Sequence, residues 1–296
     1  MSGQTETPTV ADAVEVPVSA GVAPVGVVPG TVPDVGLRMS SDHRYWFNGE
    51  GPNPSVTTVL GILDKQAVTT WRVKQAIQAV LRMAPEFVHA ARQNPQAADE
   101  LIWQAMQRAD DTRDKAATLG SSVHLLADMA SRGSESDSKG FQVFEQEKPY
   151  LEAFRGFLDR YSASSIVSSE KAVWSLNGYA GTYDLLMLIH KQLWLVDIKT
   201  SKGVYPETGL QLAAYRWADY IILPNDPKGY PMPEVHRTGV LHLRPDQYKE
   251  GWRLYEYPTT YTDDFIPFLG LLEGLKWKQS KRFMKGTLPV IGKESL

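Results

Sequence analysis

The sequence predicts an α/β protein: a small mixed β-sheet flanked by helices, preceded by an N-terminal helical region. Two observations predict it. Helical periodicity dominates residues 54–162, and strand-like apolar runs then crowd into residues 163–260 with one amphipathic helix among them. Packing helices on a mixed sheet is the stable way to bury such a set. In Leu193-Trp194-Leu195-Val196-Asp197-Ile198-Lys199, both faces are apolar before Asp197, as expected of a central strand covered on both sides.

The elements follow in order. Residues 1–38 are rich in Pro, Val, Gly and Ala, contain no aromatic residue and show no sustained period. Such a segment cannot bury enough surface to offset its ordering entropy, so a disordered tail is expected, serving as a tether, with a short docking segment built on its valines as the alternative. Residues 39–296 are read as one domain. A strand-like run at His43-Arg44-Tyr45-Trp46-Phe47 closes on Asn48-Gly49. Helical character runs from Val56 to Met83 with a break near Asp64, and Val73, Ala76, Ile77 and Val80 share one stripe. Asn94-Pro95 interrupts the pattern. A second helical region runs from Ala97 toward Met129, with Leu101, Ile102, Ala105 and Met106 facing the core. Residues 132–140 form a polar loop. Pro149 opens a helix through Tyr161 that buries Leu151, Phe154, Leu158 and Tyr161.

Strands are expected at Ile166–Trp174, Thr182–Ile189, Leu193–Lys199, Gly239–Leu243 and Gly251–Tyr257, with a helix over Glu207–Ile222 and a last helix over residues 261–285. His190-Lys191-Gln192 is short enough to fold the second and third strands into a hairpin. That hairpin would bring Asp184 beside Asp197. Pleating puts Asp197 and Lys199 on one side and Ile198 on the other. Burying a carboxylate is costly unless it is paired or metal-bound. Two carboxylates and a carbonyl oxygen make a hard site suited to Mg²⁺ or Mn²⁺. The bland alternative is an edge-strand ion pair between Asp197 and Lys199.

Four motifs in order weigh against that alternative: Gly120-Ser121-Ser122-Val123-His124, Gly181-Thr182-Tyr183-Asp184, Asp197-Ile198-Lys199 and Gln211-Leu212-Ala213-Ala214-Tyr215. The series resembles the RecB-type branch of the PD-(D/E)xK nuclease superfamily, including phage exonucleases described as Cas4-like. The resemblance covers residues 53–222, and Pro54-Ser55-Val56-Thr57-Thr58-Val59-Leu60 is similar to the opening of such domains. It implies a restriction-endonuclease-like core and a metal-dependent DNA exonuclease acting in phage replication or recombination. Asp184, Asp197 and Lys199 would be catalytic. His124, Asp184, Asp197, the Ile198 carbonyl and Glu170 would surround Mg²⁺ or Mn²⁺. Gln211 and Tyr215 would contact the DNA strand or brace the lysine. DNA is the implied partner, with a phage recombination or single-strand-binding protein beside it, in the host cytoplasm. Two alternatives stand: a structure-specific endonuclease, and a catalytically silent DNA-binding recombination partner.

Further residues enter by position. Asp128, one turn after His124, either orients it or is solvated. Arg216 adjoins Tyr215 and can reach a phosphate. The run Lys276-Trp277-Lys278-Gln279-Ser280-Lys281-Arg282-Phe283-Met284-Lys285 reads as a solvated helix face or a phosphate-binding flank in which Lys276, Lys278, Lys281 and Arg282 contact DNA.

Composition limits the choices. With 296 residues, 43% of them hydrophobic, the chain can bury a sizeable core. A net charge of −3 means that DNA binding must use a local patch. The chain has no cysteine, which excludes disulfides, cysteine nucleophiles and the thiolate-held iron–sulfur cluster found in many Cas4 proteins. No signal peptide or membrane-spanning segment is indicated, so a cytoplasmic protein is expected. Walker A, zinc and Gly-x-Ser-x-Gly patterns are absent.

Overall fold

A short three-stranded antiparallel sheet precedes the helices: β1 (Arg38–Met39), β2 (Tyr45–Phe47) and β3 (Glu50–Asn53). The structure is a computed structural model that describes residues 36, 38–39, 45–47, 50–63, 66–132, 143–162, 165–223 and 228–280. The expected tail therefore lies almost wholly outside the described residues, as do Lys281, Arg282 and the end of the expected last helix.

α1 (Val56–Leu60) starts where Ser55 caps it, its Oγ accepting from the Thr58 N–H at 3.0 Å. α2 (Gln66–Arg82) and α3 (Ala84–Gln93) follow. α4 (Pro95–Ser131) starts on Asn94, whose side chain accepts from the Gln96 N–H, with Pro95 where a missing N–H costs nothing. The apolar stripes on α2 and α4 do not reach the sheet. Val73 and Ile77 are each 53% exposed and Met106 44%, and with Ile102, Leu81 and Phe87 they line an open groove of about 480 Å³ among the three helices. The reason lies in the length of α4. Its second half packs Val123, Leu126, Ala127 and Ala130 into the core, while its first half extends past the sheet against α2 and α3.

α5 (Lys148–Tyr161) covers the same sheet face as α4 through Leu151, Phe154, Phe157 and Leu158. The sheet itself begins with β4 (Ile166–Ser175), β5 (Tyr179–Ile189) and β6 (Gln192–Lys199), an antiparallel meander. A two-residue turn joins β5 to β6, with His190 at φ 50° and Lys191 at φ 63°. Two consecutive left-handed residues are what a type I′ hairpin requires.

α6 (Glu207–Arg216) is shorter than the sequence suggests. Tyr220-Ile221-Ile222, expected as its last turn, forms β7 (Tyr220–Ile222) instead and pairs with β4. Asp219 fixes the change of direction, accepting from Ser175 Oγ at 2.8 Å and the Leu176 N–H at 2.7 Å. β-Branched and aromatic side chains then suit a strand paired on both sides, with Tyr220 and Ile222 buried. β8 (Gly229–Pro231), β9 (Arg237–Leu243) and β10 (Trp252–Glu256) complete a seven-stranded sheet in the order β10-β9-β6-β5-β4-β7-β8, where β6–β9 is the parallel pair. A π-helical turn (Tyr261–Phe265) leads into α7 (Ile266–Gln279). α1, α6 and α7 bury Val56, Leu212, Phe268 and Leu272 on the face opposite α4 and α5. The chain is thus α/β, a mixed sheet flanked by helices on both faces. Among the described residues no helix is long and apolar enough to cross a membrane.

Candidate metal centre

The site forms where β5 and β6 separate. Their last registered pair is Leu185 with Val196, so Asp184 and Asp197 occupy the next positions on facing strands. The Asp184 side chain takes over from the backbone there, with Oδ2 accepting from the Ile198 N–H at 2.5 Å. Its other oxygen, Oδ1, lies 3.1 Å from Nδ1 of His124 on α4.

A matched break in alternation brings Glu170 to the same place. In a regular strand Ser169 and Glu170 would face opposite ways. Here Ser169 Oγ donates to Asp128 on α4 at 2.6 Å, and Glu170 lies 3.7 Å from His124 on the same helix. On β5, Asp184 reaches α4 and its neighbour Leu185 packs in the core beneath α4 and α5. Glu170 adopts φ 47°, a left-handed conformation that is unfavourable for a non-glycine residue. That residue turns the strand so that two carboxylates approach one imidazole. One ligand atom from each of His124, Glu170 and Asp184 lies within 4.8 Å of the others, a spacing compatible with one metal ion.

Asp197 sits deeper. It is 3% exposed, and Lys199 Nζ lies 2.7 Å from its Oδ2, yet neither carboxylate oxygen has an aligned hydrogen-bond donor. Burial pushes its carboxyl up to about 6, with Asp184 adding to the rise and Lys199 opposing it. Burial also acts to raise Asp184, but His124, Lys199 and the Ile198 N–H outweigh it and hold that carboxyl low. Glu170 is raised, chiefly by burial. Burial would lower His124, yet Asp184, Glu170 and Asp197 hold it well above the usual imidazole range. Lys199 is likewise raised by Asp197 and Asp184 against its own burial.

α6 braces the lysine from the other side. Lys199 Nζ donates to Gln211 Oε1 at 3.0 Å, and Gln211 Nε2 donates to the Tyr215 hydroxyl at 3.3 Å. Tyr215 fits closely over Gly181, where a Cβ would lie 2.6 Å from Tyr215 Cε1 and 3.0 Å from Val56 Cγ2. Gly181→Ala is therefore expected to cost about 1–3 kcal/mol through overpacking and to displace Tyr215 from Gln211. Urea denaturation measures the first effect, and the ring resonances of Tyr215 in ring-labelled protein, assigned by comparison with Tyr215→Phe, report the second.

These groups open into a cleft of about 1100 Å³. α4 lines one wall with Gly120, Ser121 and His124, and Ser55, Thr57 and Thr58 line the other. The last three form a hydroxyl cluster, Ser55 Oγ lying 2.9 Å from Thr57 Oγ1 and 2.8 Å from Thr58 Oγ1. In the sequence this segment reads only as a domain opening. Its capping pattern, Ser followed three residues later by Thr, is the local signal that marks it. Tyr45 also lines the cleft from the small sheet, its hydroxyl 3.0 Å from Thr182 Oγ1.

The remaining candidates divide: Asp128 lines the cleft and Ile198 adjoins Asp184, whereas Arg216, Lys276 and Lys278 lie away from it. Asp128 neither orients His124 nor stands in solvent: it is buried, accepts from Ser169 and pairs with Arg132 one turn on. Arg216 donates to the Thr259 carbonyl at 3.0 Å and stacks on Trp217 at 4.8 Å, away from the cleft. Lys276 donates to the Asn177 carbonyl and to Glu273, and Lys278 is exposed on α7; neither lines the cleft. Ile198 is buried with its N–H held by Asp184. No family model matches this chain, and no curated protein matches it significantly.

Proposed function

We propose that the protein is a divalent-metal-dependent deoxyribonuclease of the RecB-type PD-(D/E)xK kind, an exonuclease that hydrolyses phosphodiester bonds. The observation that carries this reading is the convergence of His124, Glu170 and Asp184 to within 4.8 Å, with a half-buried lysine beside them in an open cleft. The donor set fits a divalent ion. It is a neutral-imidazole-plus-carboxylate group of the kind that Mn²⁺ accepts readily and Mg²⁺ accepts through its oxygens. A second fit is the buried Asp197, whose oxygens lack aligned donors. A bound ion would polarise the phosphoryl group and lower the pKa of a bound water.

The protein's own groups have distinct tasks. His124, Glu170 and Asp184 hold the ion, and Asp197 holds Lys199 charged beside it. Lys199, fixed by Asp197 and Gln211, offsets negative charge that develops on the phosphate. The hydroxyls of Ser55, Thr57 and Thr58 offer neutral donors to a DNA backbone. His124 must lose its proton before it can serve as a ligand, so ion binding should release protons.

Digestion of 5′- and 3′-labelled single- and double-stranded DNA with Mg²⁺, Mn²⁺ or EDTA tests the reading. Cleavage from ends that requires the ion is expected. Cleavage of end-blocked DNA would indicate an endonuclease, and binding without cleavage a silent DNA-binding protein. Calorimetry with Mn²⁺ in buffers of different ionisation enthalpy should show proton release in the parent and lose it in His124→Ala. Absence of Mn²⁺ binding to the parent would overturn the metal centre itself.

A further inference from the structure

We infer that His242 is a positioning residue that anchors the loop after Lys199, and through it the Lys199–Gln211 pair. The inference rests on the nuclease reading for its effect on rate, but not for its effect on the loop. β9 runs parallel to β6, and their register pairs His242 with Lys199. His242 is 2% exposed, and both of its ring nitrogens are engaged. Nε2 lies 2.7 Å from the Ser201 carbonyl, and Nδ1 lies 2.8 Å from the Tyr248 hydroxyl.

The partners fix the tautomer. A carbonyl only accepts, so the ring proton sits on Nε2. In the neutral ring Nδ1 then accepts from the Tyr248 hydroxyl. The Tyr248 oxygen, 2.9 Å from the Tyr255 hydroxyl, accepts in turn from Tyr255. The result is a one-way chain of donors from Tyr255 through Tyr248 and His242 to Ser201. Arg253 packs over both tyrosine rings, 4.7 Å from the Tyr248 centroid and 5.9 Å from that of Tyr255, and so holds the outer end in place.

The receiving loop connects the two halves of the lysine's setting. Lys199 ends β6, and Gln211, which accepts a hydrogen bond from it, stands on α6 after the loop. Ser201 O also accepts from Arg244 Nη1 at 3.3 Å, and Ser201 Oγ donates to the Gly203 carbonyl at 2.7 Å. From above, α4 passes close to the same loop: a Cβ on Gly120 would lie 3.4 Å from Thr200 Oγ1. A buried donor aimed at this carbonyl therefore sets where the chain leaves β6, and with it how Gln211 meets Lys199. His242 touches none of the ion-holding residues, so ion affinity should not depend on it.

The test compares His242→Leu, His242→Gln and His242→Asn in the full chain. Glutamine can keep a donor near the Nε2 position; leucine cannot. Amide hydrogen exchange over residues 200–206 should speed up about tenfold in His242→Leu, as loss of one buried hydrogen bond implies, and stay parental in His242→Gln. With labelled DNA and saturating Mn²⁺, kcat in His242→Leu should fall roughly 10- to 100-fold with KM nearly unchanged, and glutamine should restore it. Mn²⁺ affinity by calorimetry should be the same in all variants. Parental loop exchange in His242→Leu overturns the inference, as does a kcat loss that glutamine fails to restore. If His242→Leu does not fold, His242→Asn, whose shorter amide does not reach the Ser201 carbonyl, decides: faster loop exchange supports the anchor and parental exchange overturns it. A parent that never cuts DNA overturns the nuclease reading, while the exchange result still judges the anchor.

Discussion

Lys199→Ala is expected to leave divalent-ion binding intact while lowering single-turnover cleavage by about a hundredfold or more. The expectation follows from the lysine's surroundings. Asp197 and Asp184 hold its pKa up despite burial, so it carries a fixed positive charge and cannot act as a base near neutral pH. Its contribution is a charge placed by Asp197 at 2.7 Å and Gln211 at 3.0 Å. His124, Glu170 and Asp184 remain in place in the variant, so Mn²⁺ calorimetry should match the parent. Gln211→Ala, which keeps the charge and loosens its position, should give a smaller loss in the same direction. Parental cleavage in Lys199→Ala would return Asp197 and Lys199 to the status of a structural ion pair.

Asp197→Asn should stabilise the ion-free protein at neutral pH. The Asp197 carboxyl is raised from 3.8 to about 6 in the folded state, chiefly by burial. The native state therefore binds this proton more tightly than the unfolded state does. Stability falls as pH rises through the window from about 4 to 6. Above that window the ionised group costs roughly 3 kcal/mol, since each tenfold change in proton affinity is worth about 1.4 kcal/mol. An amide of the same shape has no charge to bury. Thermal melts in EDTA should place Asp197→Asn above the parent at pH 7–8 by roughly 5–10 °C, with the difference closing as pH falls toward 4. Mn²⁺ should stabilise the parent more than the variant, because a cation offsets the charge that the variant lacks. A variant that melts below the parent in EDTA at pH 8 would mean that the pairing with Lys199 outweighs the burial of the charge.

The sequence carried the strands and the hairpin because their signals are local. Tyr183 to Ile189 and Leu193 to Lys199 are apolar runs with a two-residue turn between them, and their pairing follows from the turn. Asp197 and Lys199 share a face because pleating requires it. Gln211 and Tyr215 meet because they stand one helical turn apart. Glu170 was ambiguous for a physical reason: its approach to His124 depends on a left-handed residue within a strand, which no period of two can encode. The stripes on α2 and α4 were legible as amphipathic faces, but whether such a face meets the sheet depends on where a 37-residue helix runs past it. The fate of Tyr220-Ile221-Ile222 turned on Asp219, whose capping role requires Ser175, far away in sequence. The same holds for His242, a lone histidine until β9 pairs with β6.

The bond from the Ile198 N–H to Asp184 Oδ2 affects the choice of an inactive control. One oxygen of Asp184 does the work of a sheet rung while the other faces His124. Alanine at 184 would therefore remove two things at once, an ion-holding group and the acceptor that joins β6 to β5 beyond Leu185. Lost cleavage in that variant would not separate a missing ligand from a displaced Lys199, which follows Ile198 directly in the chain. Asparagine, placed with its carbonyl oxygen toward Ile198, keeps the rung and turns an amide toward the imidazole. For any assay that needs a folded, DNA-competent and catalytically dead protein, Asp184→Asn is the informative blank, and Asp184→Ala confounds chemistry with architecture.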